Sequence, residues 1–172
     1  QNILAAATMA HSFGISRYAI QDTIMNFSPI HHRLEWIGNI KNVDYFNDSK
    51  ATNIAAARAA IESFNGNLIL ILGGQNKGLT DFNLLSSAMK NRVKIIVAYG
   101  EAGRKIERQL KSEFQLTYIK KFAGAVMEAH AQSKMGDTIL LSPACASFDQ
   151  FSNYEERGDE FNLIFTKLEL SE

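Results

Sequence analysis

The chain of 172 residues has a single cysteine, Cys145, so it cannot form an internal disulfide, and a reducing, cytoplasmic setting is expected. It has no excess charge either, because 18 Lys and Arg balance 18 Asp and Glu. That balance excludes the global field by which basic proteins gather nucleic acid or anionic membranes. An anion must therefore be met by a local cluster of cations. No apolar run approaches the roughly 18 residues that cross a bilayer, so no membrane insertion is expected. Gln1-Asn2 opens straight into an alanine-rich helical pattern, with neither a signal peptide nor an initiator Met, and the sequence is expected to be the tail of a longer protein. Internal repeats and low-complexity tracts are absent. The Gly-x-x-x-x-Gly-Lys-Ser/Thr spacing of a Walker A loop occurs nowhere. His31 and His32 are adjacent, but no Cys or spaced His/Asp partner joins them, so no metal site is expected.

What the chain does have is α/β alternation. The spacing predicts helices over 3–12 and 17–26, with Ser16 capping the second, and a break at Ser28-Pro29. Two short helices bury little surface alone. Residues 1–30 are therefore expected to be the edge of a preceding domain. Residues 34–40 and 43–47 flank Lys41-Asn42 and predict a β-hairpin. A helix is predicted over 53–64. Beyond it, apolar runs at 68–72, 94–98 and 138–141, with a weaker strand at 116–119, alternate with predicted helices at 81–90, 101–111, 122–133 and 156–168. Short Ile, Leu and Val runs without polar alternation suit strands covered on both faces. The alternation predicts a Rossmann-like, doubly wound, mostly parallel sheet over residues 31–172.

Open parallel sheets bind ligands beyond the carboxyl ends of their strands. That rule singles out the turns at 73–78, 100–103 and 142–147, and the segment Asn47-Asp48-Ser49-Lys50-Ala51-Thr52-Asn53. In that segment Asp48, Ser49, Thr52 and Asn53 each suit an ordinary helix N-cap. Lys50 fits capping less well, because a cation opposes the helix dipole there, whereas it would meet an anion drawn to the same helix start. Lys77 is either a solvated lysine in a flexible turn or a charge aimed at a carboxylate. The glycines at 100 and 103 carry no assigned role. Small residues at 142–147 let backbone approach a ligand closely. Cys145 lacks a basic neighbour and reads as a buried structural thiol. Arg33, beside the domain junction, is a candidate phosphate contact.

The segment 47–53, the turn Gly73-Gly74-Gln75-Asn76-Lys77-Gly78, the run from Leu141 through Ser142-Pro143-Ala144-Cys145-Ala146-Ser147 to Gly158, and Pro29-Ile30-His31-His32-Arg33 occur in the order found in the Mur ligase family, and resemble its D-glutamate-adding branch. The resemblance spans nearly the whole chain, and the run from Leu141 to Gly158 is its most specific part. It implies ATP-dependent ligation of D-glutamate to UDP-N-acetylmuramoyl-L-alanine through an acyl phosphate, in peptidoglycan precursor synthesis, by a monomer. Residues 1–30 would end the central ATP-binding domain, which with missing parts of the protein would hold most of the ATP, the Mg2+ and the UDP-sugar. Residues 31–172 would be the amino-acid-binding domain. Asn2, Arg33 and Asp48 would contact the nucleotide, and Lys50 would lie at the reacting centre. Thr52, Lys77, Ser147, the backbone of Phe148 and Tyr154 would hold D-glutamate. Tyr154 stands where phenylalanine is equally expected, which leaves its hydroxyl without a family role. Two alternatives compete with this reading: another Mur-type or folylpolyglutamate-type ligase, and a non-catalytic Rossmann-like anion-binding module.

Overall fold

A computed structural model describes residues 2–27, 30–75 and 78–171; the Ser28-Pro29 break and Lys77 lie outside them. The chain divides into two compact units, Gln1–Ile30 and His31–Glu172. In the first, α1 (Asn2–Ser12) and α2 (Arg17–Met25) form, and the Ser16 hydroxyl accepts the Ala19 amide as an N-cap. None of the residues of α2 is buried.

In the second unit, β1 (Glu35–Ile40) and β2 (Val43–Asn47) make the expected antiparallel hairpin. Its turn residues Lys41 and Asn42 both have positive φ, 48° and 64°, as a tight two-residue turn between twisted strands requires. Next come α3 (Ile54–Glu62), β3 (Leu68–Gly73), a 3-10 turn (Phe82–Leu85) leading into the single turn α4 (Ser86–Met89), β4 (Val93–Tyr99) and α5 (Gly100–Leu110). The chain closes with β5 (Leu116–Ile119), α6 (Phe122–Gln132), β6 (Thr138–Ala144) and α7 (Tyr154–Ser171). The helix expected over 81–90 is thus a 3-10 turn in its first half and a single α-helical turn in its second. Asp81 accepts the Asn83 amide and Gln109 accepts the Phe82 amide, and these bonds tighten the segment.

The six strands lie in the order β1-β2-β6-β3-β4-β5, all parallel except β1. Strand β3 shows why. Leu68, Leu70 and Leu72 face a core shared with α3, α4 and α5, while Ile69 and Ile71 face a second core shared with α6 and α7. All five are fully buried, so the strand carries no polar alternation. This is the doubly wound α/β sheet that the sequence predicts. The helix after β3 lies on one face and the helix after β6 on the other, so these two neighbours form a topological switch point.

Candidate functional site

The carboxyl ends of β2, β6, β3 and β4 share one rim, with Asn47 beside Leu141, and Gly73 between Ala144 and Tyr99. The backbones interlock there. The Gly74 amide donates to the Tyr99 carbonyl, the Gln75 amide to the Ala146 carbonyl and the Ala102 amide to the Gly74 carbonyl. A side chain at Gly73 or Gly74 would place its Cβ 2.1 Å from the Tyr99 carbonyl oxygen or 2.4 Å from that of Ala146. Both glycines also sit at positive φ, 143° and 131°. The pair is fixed by close packing rather than flexibility.

On the β2 side, Asn53 caps α3 by accepting the Ala56 amide, which settles the capping question and leaves Asp48 free of that task. Asp48 is buried, with Oδ1 accepting the Leu34 amide at 3.1 Å and Oδ2 accepting the Ser142 hydroxyl at 2.8 Å. Burial pushes its carboxyl up to about 6, against the opposing pull of Ser142, Leu34 and the nearby Arg33 guanidinium. Arg33, Asp48 and Lys50 all line one hollow of about 380 Å³, whose other wall is the alanine face of α3, Ala56, Ala59 and Ala60. The structure therefore gathers three of the nucleotide and catalytic candidates from two segments of the chain. Asn2 opens α1 in the other unit, and its side chain lies outside the described part.

Lys50 is partly buried, and its ammonium donates to the Tyr154 hydroxyl at 2.8 Å while lying 4.6 Å from the centroid of that ring. Its amide donates to the His32 carbonyl. His32 itself is buried against Gly158, within hydrogen-bond reach of Asn47 through Nδ1, with Asp159 3.4 Å from Nε2. It positions the Lys50 loop. Among the described residues no group of three or more His, Cys, Asp or Glu is arranged to hold a metal ion.

On the β6 side, Ser147 is buried and its hydroxyl has no hydrogen-bond partner among the described residues. Thr52 is half-buried, its amide bonded to the Lys50 carbonyl, and the Phe148 side chain is exposed. Thr52 and Ser147 follow the neighbouring strands β2 and β6. Lys77, on the loop after β3, lies outside the described residues.

The sequence reading gave no role to Arg157, which is fully buried and ties the rim together. Its Nε donates to Ser49 Oγ at 2.8 Å, one terminal nitrogen to the Ser49 carbonyl at 2.7 Å, and the other to the Cys145 carbonyl at 3.1 Å and the Tyr99 hydroxyl at 3.2 Å. Ser49 Oγ in turn donates to the Tyr154 carbonyl. One guanidinium thus joins the ends of β2, β4 and β6 to the start of α7. The turn at 100–103 also has a structural task, because a Cβ at Gly100 would meet Asp149 Oδ2 at 2.2 Å and one at Gly103 the Tyr118 ring. Asp149 Oδ2 accepts the Glu101 amide there.

Known proteins resemble this chain in sequence, and solved structures resemble it in fold. The UDP-N-acetylmuramoylalanine–D-glutamate ligase of Solibacter usitatus is 41% identical over 169 residues, 98% of this chain and 38% of its own length. The ligase of the same name from Acidobacterium capsulatum is 44% identical over 161 residues, 94% of this chain and 35% of its own. This chain therefore spans little more than a third of these relatives. Among solved structures, the MurF ligase of Thermotoga maritima in complex with ADP matches 99% of this chain and 38% of its own, with a TM-score of 0.65 at 17% identity, which is a likeness of fold. Residues 32–145, which include β1, β2 and the rim segments up to Cys145, match the family model described as Mur ligase, glutamate ligase domain, and the chain belongs to that family.

Proposed function

We propose that this chain supplies the D-glutamate site and part of the ATP site of a cytoplasmic, monomeric ligase that joins D-glutamate to UDP-N-acetylmuramoyl-L-alanine in peptidoglycan precursor synthesis. The observation that carries the proposal is the meeting of Arg33, Asp48 and Lys50 around one hollow, together with a buried Ser147 hydroxyl, after the neighbouring strand, that has no partner among the described residues. The names of relatives at 41% and 44% identity support the choice of amino acid.

The residues fit a nucleotide. Arg33 and Lys50 are cations suited to phosphate oxygens, and the alanine wall offers an apolar surface to a base. Asp48 is held rigidly through both oxygens, each of which keeps a lone pair for a ribose hydroxyl. When bound, ATP would supply the phosphoryl group that turns the substrate carboxylate into an acyl phosphate. Lys50 would stabilise negative charge at that centre. Ser147, Thr52, Lys77 and the Phe148 backbone would hold the two carboxylates of D-glutamate, leaving its amine free to attack. A dicarboxylate needs several fixed donors, because one cation cannot replace the water lost at both ends. Residues 1–30 would close the central ATP-binding domain, and Mg2+ and the UDP-sugar would be held by other parts of the longer protein.

The test is amino-acid acceptance by the full-length enzyme with ATP and UDP-N-acetylmuramoyl-L-alanine. D-glutamate should be ligated, while L-glutamate, L-alanine and diaminopimelate should not. Preference for one of those three would overturn the reading.

A further inference from the structure

The ring at position 154 is assigned above to the amino-acid side of the rim, but its hydroxyl faces the other way. Among the described residues the Lys50 ammonium has one hydrogen-bond partner, the Tyr154 hydroxyl at 2.8 Å. The Tyr154 hydroxyl also holds the Glu155 carboxyl below the usual carboxylate range. The phenol oxygen meets the Lys50 ammonium as an acceptor, through a lone pair. The segment that carries Lys50 holds Tyr154 a second time, since Ser49 Oγ donates to the Tyr154 carbonyl at 2.7 Å and is itself fixed by Arg157. Consecutive residues 49 and 50 thus hold the same tyrosine by backbone and by side chain. A long, flexible ammonium is otherwise costly to hold in one place, because its four-carbon stem has many rotamers to lose.

We infer that Tyr154 is a positioning residue whose hydroxyl fixes the Lys50 ammonium at the edge of the hollow, rather than a ligand of the amino acid. The inference rests on the reading of Lys50 given above. It makes the tyrosine the physical link between the two sides of the rim. Its ring borders the amino-acid side, and its hydroxyl sets a group on the nucleotide side.

Steady-state kinetics of the full-length enzyme test it with Tyr154→Phe, Lys50→Ala and the double variant. Tyr154→Phe keeps the ring and removes only the tether. Its kcat should fall about five- to tenfold, the loss of one charge-assisted hydrogen bond, with KM for D-glutamate unchanged. Lys50→Ala should lower kcat about 100-fold or more. Adding Tyr154→Phe to Lys50→Ala should cost nothing further, because a residue acting through a lysine has no effect once the lysine is gone. A merely structural tyrosine would lower kcat equally in both backgrounds, and a substrate-binding hydroxyl would raise KM instead; either result overturns the inference. An unchanged kcat in Tyr154→Phe overturns it as well. If Lys50→Ala leaves kcat intact, the placement of Lys50 at the reacting centre fails first, and the tether loses its function with it.

Discussion

On the β2 side of the rim the polar groups are engaged with one another. Asp48 accepts from Leu34 and Ser142, Ser49 from Arg157, and Asn47 donates to the Gly158 carbonyl and to Asn162. On the β6 side, Ser147 Oγ and Asp149 Oδ1 are shut away from water with no partner among the described residues. An unsatisfied buried polar group costs about 1–3 kcal/mol, whereas a satisfied one is nearly neutral or mildly stabilising. The β2 side is therefore scaffold, where removing a hydrogen-bonding partner should damage stability. The β6 side holds unused hydrogen-bonding capacity, where substitution should damage binding and leave stability alone.

The largest expected effect is on the scaffold. Arg157→Ala would leave the Ser49 and Cys145 carbonyls without their donor and open a cavity at the centre of the rim. A loss of roughly 3–5 kcal/mol in urea unfolding is expected, by the cost of large-to-small core changes and stranded acceptors. A loss below about 1 kcal/mol would show that the rim holds without its central cation, and the comparison would break.

Asp48 gives an intermediate effect and a sign. Its folded carboxyl stands at about 6, above the unfolded value of about 4. The folded state then binds more protons between those values, so this contribution is present below about pH 4 and is lost as pH rises through 6. Asp48→Asn should flatten that slope and gain on the order of 2 kcal/mol of stability at pH 7, an upper bound from two shifted pH units. Nucleotide affinity should weaken in the same variant. Unfolding followed from pH 4 to 7 checks the first part, and nucleotide titration of the full-length enzyme the second.

The smallest stability effect is expected at Ser147. Ser147→Ala removes a hydroxyl with no partner among the described residues, so the unfolding free energy should change by less than about 0.5 kcal/mol, or rise. KM for D-glutamate should nevertheless increase about tenfold or more. A clear loss of stability would show that the hydroxyl is already bonded and would remove the contrast.

Local signals made most of the fold legible. Continuous Ile and Leu at 68–72 announced a strand buried on both faces, and Lys41-Asn42 between two extended runs announced the hairpin. Local reading also marked Arg33 and Lys50, the family resemblance added Asp48, and the structure brings all three to one hollow. What stayed hidden depends on partners distant in the chain. Arg157 meets Ser49 across 108 positions, and nothing in the residues around it distinguishes a buried clamp from a solvated arginine. The 3-10 turn after Asp81 was missed because Gln109, on α5, holds the Phe82 amide, and such a tertiary bond overrides helix propensity.

The order β2-β6-β3 has one more consequence. The end of β2, which leads into Lys50, and the end of β3 are not neighbours, because β6 is inserted between them. Adjacent strands lie about 4.8 Å apart, so the two strand ends are separated by about 10 Å. That separation is set by ladders of main-chain hydrogen bonds and not by any side chain. The sheet acts as a ruler. Exchanging side chains on the rim can change how tightly a bound molecule is held, but the span it must bridge is written into the order of the strands.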